Sequence, residues 1–581
     1  MIGAGGGILK INDVEKLTGL TQKAIRLYET KGLVHIARAE NGYRNYTDQN
    51  VKLLNIIKCL RRAGVSVTDI KLYVSKVINI DELLEKRKSQ IMKESGKNAQ
   101  QYQFCEGVAA QIAEENWQST VTFTETEEIK EASHGALCVG IDIGTTTISA
   151  VVFDIDNKEQ LEVYCVPHNS YVLSDVRCEQ SVSVIMEKAE KLLLHIVMNY
   201  PGIVSIGLSG QMHGIVYINE SGEPVSNLIN WQDKRADQPL EDGTNTCERI
   251  KRITGEGIST GYGIATHYYN LQHGLVPQEA VSFCSIMDLF GMKVCGLSRP
   301  LVHTSVAASF GLFDVKNGCF QKDKLSLLGI EASFLPAVTG KSCTIGTCNG
   351  IPVSAALGDN QASFLGSVQE NAQSILVNIG TGSQISTVGD FCTLSKEVEL
   401  RPFVDGKYLI CGSALCGGFA YAMLEAFFRS YAVSAGMEDV PQYKYMNALA
   451  EKAYTEADAG LDVDVSFCGK RWDPDCRGAI ERIDRQNFTP AALVLGVLNG
   501  MCKELLELYH VFPEKKAHIV ASGGAVRKNE VLRKRISEYF GMPVSVNTVE
   551  EEAATGAALF SAYCMGKIKY ENGFCEYINY G

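Results

Sequence analysis

The chain has 581 residues, too many for one hydrophobic core, so we expect several domains. Its 45% hydrophobic and 21% charged residues fit an ordinary globular protein, and no apolar run reaches the roughly 18 residues that a membrane span needs. The net charge is −12, yet residues 1–75 carry twelve Lys or Arg against six Asp or Glu. This asymmetry predicts a polyanion partner for the N-terminal part alone.

Neither the cysteines nor the start of the chain indicates an exported protein. The 19 cysteines follow no paired or metal-binding spacing, which favours reduced core thiols over disulfides or a structural metal. The first ten residues lack the apolar core of a signal peptide. We therefore expect a cytoplasmic protein with no membrane partner.

The first motif is a pair of short helices. Apolar Ile11, Val14 and Leu17 recur at helical spacing, Gly19 interrupts the pattern, and Thr21 is a candidate cap for a second helix. Two short helices joined by a glycine turn predict a helix-turn-helix. The second helix places three polar side chains where a recognition helix contacts the major groove: Gln22, Lys23 and Arg26.

A basic hairpin is predicted directly after these helices. Asn41-Gly42 is a hairpin-turn signal, and it is flanked by Arg38, Tyr43 and Arg44. Such a hairpin can act as a wing that contacts phosphates. The alternative is a generic helical subdomain with a solvated basic face, since two helices and a glycine turn are common.

The residue strings favour the first interpretation. Two segments resemble the DNA-binding domain of the MerR family of transcriptional regulators: ILKINDVEKLTGLTQKAIRLYETKGLV and ENGYRNYTDQNVKLLNIIKCLRRAGVSVTDIK. The resemblance implies an all-α winged helix-turn-helix domain at residues 8–76 that binds double-stranded DNA. In that family a following helix pairs with its twin, which implies a homodimer.

Residues 77–115 carry a repeat of seven that fits such a pairing helix. The seam positions are Val77, Leu84, Ile91, Asn98, Cys105 and Ile112. Polar residues on alternate seam positions leave open a single amphipathic helix that packs on the rest of the chain. Residues 116–136 are acidic, rich in Thr and without a period, and we interpret them as a linker.

The next element is a turn between two apolar strands, DIGTTT at residues 142–147. Gly144, Thr145 and Thr146 offer backbone N–H groups and hydroxyls to a phosphate. Taken alone, a Thr-rich hairpin is more often only a turn.

Two later glycine elements strengthen the phosphate interpretation. The strand-then-Gly-Thr pattern returns in Ile375–Ser386 with Gly380 and Thr381, which predicts two similar halves with one phosphate loop each. Gly523 and Gly524 then stand at a strand-to-helix turn, where paired glycines allow a flat ring or phosphate to approach closely. A tight packing turn would explain this last pair equally well.

A candidate catalytic carboxylate lies between the two loops. In PVSAALGDNQ an apolar strand ends just before Asp359. A carboxylate at the end of a strand can take the proton of an alcohol that attacks a γ-phosphate. The alternative is that Asp359 caps the helix that follows.

Upstream, SGQMHG and NWQDKRAD supply donors, acceptors and an aromatic face in a short stretch. This mixture suits a polyhydroxylated ligand, which needs hydrogen bonds and a surface for its C–H face. A lone histidine more often satisfies a local hydrogen bond, so the prediction depends on the whole set: Gln211, Met212, His213, Trp231 and Asp233.

A series of motifs in the second part of the chain resembles, in content and order, the FGGY family of carbohydrate kinases. The motifs are GIDIGTTTISAVVFD, LSGQMHG, NWQD, ALGDNQ, NIGTGSQ, SGGAVRKN and EEAATGAA. The resemblance implies an α/β, two-lobed actin-like fold related to ribonuclease H, with lobes at residues 137–368 and 369–581. It implies ATP and Mg²⁺ as cofactors, Asp359 as base and Asp142 as the metal residue. It also implies nucleotide contacts from Gly144, Thr145, Thr146, Gly380, Thr381, Gly523, Gly524 and Asn529, and acceptor contacts from the set above with Asn360.

Within the family, SGQMHG, NWQD and RPFVDGKYLICGSALCGG together are most similar to the sedoheptulokinase branch. This implies transfer of the ATP γ-phosphate to O7 of sedoheptulose, with xylulose or a polyol as alternative acceptors. The leading hypothesis is a ketose kinase joined to a DNA-binding dimer. The contrasting hypothesis is a transcriptional regulator that uses the kinase fold only to sense sugar.

Overall fold

The computed structural model describes residues 9–38, 43–93, 135–174, 176–456, 461–473, 475–571 and 573–580. The chain divides into two compact units, the first with residues 1–132 and 190–201, the second with residues 133–189 and 202–581. Among the described residues, no helix is both long and apolar enough to cross a bilayer. The predicted linker lies outside the described residues, apart from Gly135 and Ala136.

The first unit begins with the predicted pair of helices. The Thr21 hydroxyl accepts a hydrogen bond from the Ala24 N–H at 3.2 Å and so caps the second helix. Ser66 caps a later helix in the same way, by accepting from the Asp69 N–H at 2.9 Å. In residues 9–38 and 43–93 the helices are Ile11–Thr18, Gln22–Thr30, Asp48–Arg62, Val67–Val74 and Ile80–Lys93. The helix-turn-helix prediction is confirmed.

The predicted wing is a short antiparallel hairpin. Strand Ala37–Arg38 pairs with Arg44–Asn45, and Arg38 lies opposite Arg44. The Asn41-Gly42 turn itself lies outside the described residues. Apolar side chains without exposed surface form the core of this unit, among them Val14, Ile25, Leu54, Ile57, Leu60 and Ile70.

The helix predicted from residue 77 begins later, because Val77 lies in the turn before Ile80–Lys93. The seam residues Leu84 and Ile91 are buried within the single chain, at 2% and 5% exposure. The pairing of this helix with a twin stays a prediction. The seam positions from Asn98 onward lie outside the described residues.

The second unit contains two large mixed sheets. The first, here called the N-lobe sheet, has Leu137–Ile143 near its centre. This strand pairs antiparallel with Thr147–Asp154 and parallel with Ile203–Gly210. The complete order is Thr344–Cys348, Ile351–Ser354, Ile203–Gly210, Leu137–Ile143, Thr147–Asp154 and Glu159–Pro167, with Leu357–Gly358 also paired to Ile203–Gly210.

The second sheet, here called the C-lobe sheet, repeats this arrangement. Its strand Ser374–Ile379 pairs antiparallel with Ser383–Gly389 and parallel with His518–Ser522. The complete order is Val398–Pro402, Tyr408–Ala414, Ser383–Gly389, Ser374–Ile379, His518–Ser522 and Val544–Val546. The shared pattern confirms the prediction of two similar halves.

Helix Glu552–Cys564, which the sequence assigned to the second lobe, packs on the N-lobe sheet. The contact is so close that a Cβ atom on Gly140 would stand 1.7 Å from the Ala554 carbonyl oxygen. A Cβ on Gly207 would stand 1.8 Å from the Ala557 carbonyl oxygen. Only glycine permits this approach, which joins the end of the chain to the first lobe.

Shorter elements complete the unit. Its helices are Val182–Asn199, Thr246–Thr254, Gly263–Gln272, Ile286–Cys295, Thr304–Ala307, Lys322–Leu327, Asp359–Leu365, Gly417–Ser434, Tyr443–Thr455, Pro490–His510, Gly524–Lys528, Glu530–Phe540 and Glu552–Cys564, with 3₁₀ turns at Arg235–Asp237, Ala308–Phe310 and Ala332–Phe334. Its remaining strands are Tyr171–Leu173, Cys178–Gln180, Val216–Ile218, Leu228–Ile229, Ser282–Cys284, Leu301–His303, Phe313–Asp314, Cys319–Phe320, Ala337–Thr339, Asp462–Asp464 and Ala479–Glu481.

Candidate active site

Three parallel strand ends meet at one edge of the N-lobe sheet. Asp142 and Leu357 both lie opposite Ser209, and Gly358 lies opposite Gly210. Asp359 is the first residue of helix Asp359–Leu365, and Gly358 occupies the cap position without a side-chain bond. The capping alternative for Asp359 is therefore wrong, and its carboxylate is left for another role.

The two carboxylates at this edge influence one another. Burial and the neighbouring Asp359 raise the pKa of Asp142 to about 7. Burial raises the pKa of Asp359 to about 6, although the Asn360 N–H and Arg401 act to lower it. The Asn360 N–H donates to Asp359 Oδ1 at 2.7 Å. Two carboxyl groups with raised pKa values in one cleft are typical of a site that handles protons or a cation.

The first predicted phosphate loop is held from behind by side chains. The Gly144 carbonyl accepts from His168 Nε2 at 3.1 Å and from Gln211 Nε2 at 3.2 Å. The Thr145 carbonyl accepts from Gln180 Nε2 at 2.8 Å. Because a carbonyl can only accept, the His168 ring must carry its proton on Nε2. These bonds fix the carbonyl side of the turn.

Trp231 and Asp233, predicted to contact an acceptor together, lie in different surroundings. Trp231 is 46% exposed, and its indole N–H donates to the Thr145 hydroxyl at 3.2 Å. Asp233 is 1% exposed, and its carboxylate accepts from Arg235 Nε at 2.7 Å and from the Cys178 N–H at 2.9 Å. Both of its oxygens thus accept hydrogen bonds within the protein, and its contact with an acceptor stays a prediction.

Several side chains predicted to contact an acceptor lie near Asp359, and the set Gln211, Met212, His213, Asp359 and Asn360 is here called the acceptor pocket. The Asn360 side-chain nitrogen lies 3.8 Å from the Met212 sulfur. The His213 ring stacks on Tyr262 with centroids 4.3 Å apart, and its Nδ1 lies 2.8 Å from the Ser309 carbonyl oxygen.

His213 is a neutral side chain with a defined tautomer. Burial lowers its pKa to about 4, and the nearby Arg401 acts in the same direction. The Ser309 carbonyl requires a proton on Nδ1, so Nε2 is left as a hydrogen-bond acceptor. A neutral ring with one free acceptor suits a hydroxyl group.

Buried polar atoms without a protein partner concentrate around this pocket. Such an atom costs about 1–3 kcal/mol if it stays unpaired, so its presence indicates a ligand or water. At the strand ends and the pocket they are Asp142 Oδ1, Ser209 Oγ, Gln211 Oε1, Gln361 Oε1 and Arg401 Nη1.

The second predicted phosphate loop is held by backbone groups. The Gly380 and Thr381 carbonyls accept from the Gly418 and Phe419 N–H groups at 2.8 and 2.9 Å, at the start of helix Gly417–Ser434. The two loops are thus similar in sequence but supported by different groups.

The third glycine element adjoins the second loop. Gly523 has a φ of +92°, and a Cβ atom there would lie 2.5 Å from the Ile379 carbonyl oxygen. The turn therefore requires glycine at this position and packs against the residue before Gly380. Ser522, just before it, has a buried hydroxyl without a partner.

Asn529 supports the turn at the start of the next helix. Its Oδ1 accepts from the Leu532 N–H at 3.0 Å, which caps helix Glu530–Phe540, and its Nδ2 donates to Asn447 Oδ1 at 3.2 Å. The side chain is 7% exposed. Each amide group therefore has one partner within the protein, and the direct nucleotide contact stays a prediction.

On the recognition helix of the first unit, Lys23 and Arg26 are exposed. Gln22 is half-buried and donates to Asn12 Oδ1 at 2.8 Å and Glu15 Oε2 at 2.9 Å. The two basic side chains therefore face solvent, whereas Gln22 braces the first helix.

The wing residues are also partly engaged. Arg44 Nε lies 2.6 Å from Glu29 Oε2, which joins the hairpin to the recognition helix. Arg38 and Tyr43 are exposed, Tyr43 at 76%. Arg44 therefore positions the wing, and the other two lie on its surface.

Sequence reasoning missed several residues at the site. Arg401 begins the motif RPFVDGKYLICGSALCGG and Glu399 stands just before it, but neither was predicted to contact a ligand. His168, Gln180 and Tyr262 lie in segments without any motif, and only the fold brings them to the site. The available signal for Arg401 was its place at the start of the motif RPFVDGKYLICGSALCGG.

Comparison with known proteins identifies the family. Residues 137–366 match the FGGY family of carbohydrate kinases, N-terminal domain, and residues 376–565 match its C-terminal domain. The chain belongs to the FGGY family of carbohydrate kinases. It is therefore a carbohydrate phosphotransferase with the two-domain, actin-like sugar kinase fold. Residues 9–77 match the MerR HTH family regulatory protein, so this kinase carries an N-terminal MerR-type domain.

Individual relatives are distant along the sequence but extend over the whole kinase. Sedoheptulokinase of Mus musculus is 26% identical over 468 residues, which covers 72% of this chain and 96% of that protein. Xylulose kinase of Staphylococcus xylosus is 24% identical, over 74% of this chain and 90% of that protein. Gluconate kinase of Lactobacillus acidophilus has a similar structure, with a TM-score of 0.68 at 18% identity over 77% of this chain and 92% of that one.

Kinases of this family use ATP and typically a divalent metal. Within the described residues, no group of three or more His, Cys, Asp or Glu is arranged to hold a metal by itself. A Mg²⁺ ion needs only one or two carboxylates when substrate phosphates supply further ligands. The unpaired Asp142 Oδ1 at the strand end fits this requirement.

Proposed function

We propose that the protein transfers the γ-phosphate of ATP to O7 of sedoheptulose, with Asp359 as general base. The position of Asp359 carries this proposal: it lies at a strand end, close to Asp142, in a pocket lined by unpaired polar atoms. The full-length similarity to mouse and human sedoheptulokinases, at 26% and 25% identity, supports the choice of acceptor.

In the reaction, the acceptor hydroxyl oxygen bonds to the γ-phosphorus while the bond to the bridging oxygen of ADP breaks. The hydroxyl proton passes to the Asp359 carboxylate. Because burial raises the pKa of Asp359 to about 6, the group is ionised at neutral pH and is a stronger base than an exposed aspartate. General-base action of this kind contributes about 10²- to 10⁴-fold in rate.

Acceptor recognition is assigned to the acceptor pocket. Gln211 Oε1 and the neutral His213 ring offer hydrogen-bond acceptors to hydroxyl groups, while Asn360 offers an amide and Met212 an apolar wall. Trp231 presents a partly exposed ring to the C–H face of the sugar. Asp233 acts indirectly, by holding Arg235 and this stretch of chain in place.

ATP is assigned to the glycine elements. Gly144, Thr145 and Thr146 form one side of the phosphate site, and Gly380 with Thr381 form the other. The Gly523-Gly524 turn leaves room for adenosine, and Asn529 supports that turn through its cap. Asp142 would hold Mg²⁺, which neutralises charge on the phosphates when bound.

We further propose that the N-terminal domain binds double-stranded DNA as part of a homodimer. Lys23 and Arg26 on the second helix would contact the major groove, and Arg38 with Tyr43 on the wing would contact phosphates. ATP as a substrate and DNA as a binding partner support a cytoplasmic location.

The kinase proposal is tested by ADP release over sedoheptulose, xylulose, ribulose, gluconate and glycerol, with D359N as the inactive control. We expect the highest kcat/KM with sedoheptulose. Preference for xylulose would reassign the acceptor. No turnover of any acceptor would reject catalysis and favour the sugar-sensor hypothesis.

The DNA proposal is tested by fluorescence titration of the full chain with random duplex DNA at several salt concentrations. We expect affinity to fall as salt rises, because phosphate contacts release counterions. Replacement of Arg38, the wing cation assigned to phosphates, by Ala should weaken binding and lower the salt slope by about one. Absence of any salt-dependent binding would reject the proposal.

A further inference from the structure

Arg401 is a buried cation that neither the family match nor the proposed mechanism uses. It lies on strand Val398–Pro402 of the C-lobe sheet and is 7% exposed. A buried guanidinium normally satisfies all its donors, because each unpaired one costs free energy. Here Nη1 is buried and has no partner in the protein.

The rest of the guanidinium is held firmly by one carboxylate. Arg401 Nε and Nη2 donate to Glu399 Oε2 at 3.0 and 2.6 Å. Glu399 Oε1 accepts from Arg471 Nη1 at 3.2 Å. Burial acts to raise the pKa of Glu399, but the two arginines hold it down at about 2. The carboxylate therefore stays ionised and fixes the plane of Arg401 while Nη1 remains available.

The surroundings of Arg401 are those of the acceptor pocket. Its charge acts on His213, Tyr262 and Asp359, which all lie at that pocket. The next residue, Pro402, accepts a hydrogen bond through its carbonyl from Gln361 Nε2 at 3.1 Å, within the helix that begins at Asp359. Arg401 thus brings a cation from the C-lobe sheet near the base Asp359.

We propose that Arg401 is a specificity-determining residue whose Nη1 donates a hydrogen bond to an oxygen of the sugar acceptor. Glu399 positions it through two hydrogen bonds and does not touch the acceptor. The inference rests on the proposed kinase function and adds a contact from the second lobe, so that acceptor binding depends on the two lobes being together.

The experiment measures steady-state kinetics of full-length R401M, R401K and wild type with the preferred acceptor. We expect the acceptor KM to rise about 10- to 100-fold in R401M, as for loss of a charged hydrogen bond. The KM for ATP should change less than about twofold. R401K should behave similarly to R401M, because lysine keeps the charge but not the planar Nη1 edge.

Two controls separate the contact from other effects. R471M removes the same charge from the same cluster but no unpaired atom, and we expect its acceptor KM to change less than about threefold. Acceptor analogues that lack single hydroxyls or the carbonyl form a double-mutant cycle with R401M. One analogue should lose affinity with wild type and show no further loss with R401M.

Each outcome is decisive. An acceptor KM within twofold of wild type in R401M and R401K overturns the inference alone, provided that wild type turns over. An equal rise of the acceptor KM in R471M would show an effect of net charge and overturns the inference too. An equal rise of the KM for ATP and for the acceptor in R401M also overturns it. If R401M does not fold by circular dichroism, R401K carries the test. No turnover by wild type overturns both the proposed function and this inference.

Discussion

The proposed acceptor side and the proposed nucleotide side differ in their polar side chains. In the acceptor pocket and at Arg401, buried atoms of Gln211 and Arg401 lack protein partners. Beside the glycine elements assigned to ATP, Asn529 bonds through both of its amide groups within the protein. The nucleotide side relies instead on backbone shape, at Gly523 and at the turn after Ile379. The difference suggests that the acceptor is selected by prepared side chains and that ATP is bound by a surface of the main chain. Mutations on the two sides should therefore change different quantities, namely turnover on the acceptor side and the KM for ATP on the nucleotide side.

The largest effect is expected on the acceptor side, in D359N. Turnover should fall about 10²- to 10⁴-fold, because the base is lost while the shape is kept. Acceptor and ATP dissociation constants should stay within about threefold. The thermal midpoint should not fall, because a neutral amide avoids the cost of a buried charge. Rapid-quench kinetics, calorimetry and melting curves check these values, and unchanged turnover would remove Asp359 from the mechanism.

The nucleotide side should respond most to backbone changes. In G523A the new Cβ would meet the Ile379 carbonyl at 2.5 Å in a conformation with positive φ. We expect the KM for ATP to rise about tenfold or more and the stability to fall by about 1–3 kcal/mol. In the neighbouring G524A, a Cβ meets no described atom within 4 Å, so the stability should stay near wild type. An equal loss of stability in the two variants would contradict the role of backbone shape at Gly523.

The pH dependence should report the acceptor side. Asp359 must be ionised to act, and its pKa is raised to about 6. The value of kcat/KM should therefore be constant above this pH and fall about tenfold per unit below it. Because Arg401 acts to lower the pKa of Asp359, R401M should move the midpoint upward. A midpoint near 4, or one that R401M leaves in place, would show that this carboxyl does not control the rate.

The smallest effect is expected for Asn529. Its replacement by Ala removes a helix cap and should lower the stability by about 1 kcal/mol. N529D keeps an oxygen at the cap position and should retain most of that stability. The KM for ATP should change less than threefold in N529D. A large rise there would support the direct nucleotide contact predicted from the sequence.

Features that depend on a local residue pattern were predicted from the sequence. The helix-turn-helix followed from apolar spacing and the Thr21 cap, and the two phosphate loops followed from a repeated strand-Gly-Thr pattern. Their repetition also predicted the duplicated sheets. Asp359 was found because a carboxylate after an apolar strand is locally distinctive.

What the sequence did not predict depends on contacts between distant segments. Asn529 and Asp233 have the residue types of ligand contacts, but their groups are used by Leu532 and Arg235 after folding. The packing of helix Glu552–Cys564 on the first lobe depends on close approach at Gly140 and Gly207, which no local pattern reveals.

The central claim is that Asp359 directs the γ-phosphate to the terminal hydroxyl of a ketose. Proton-coupled ³¹P NMR of the product formed from sedoheptulose and ATP tests it most directly. The account predicts a phosphate signal that is split into a triplet and correlates with the two C7 protons in a ¹H–³¹P spectrum, and no such product with D359N over the same time. A correlation with the C1 protons, a doublet from a secondary carbon, or no sugar phosphate at all would contradict it.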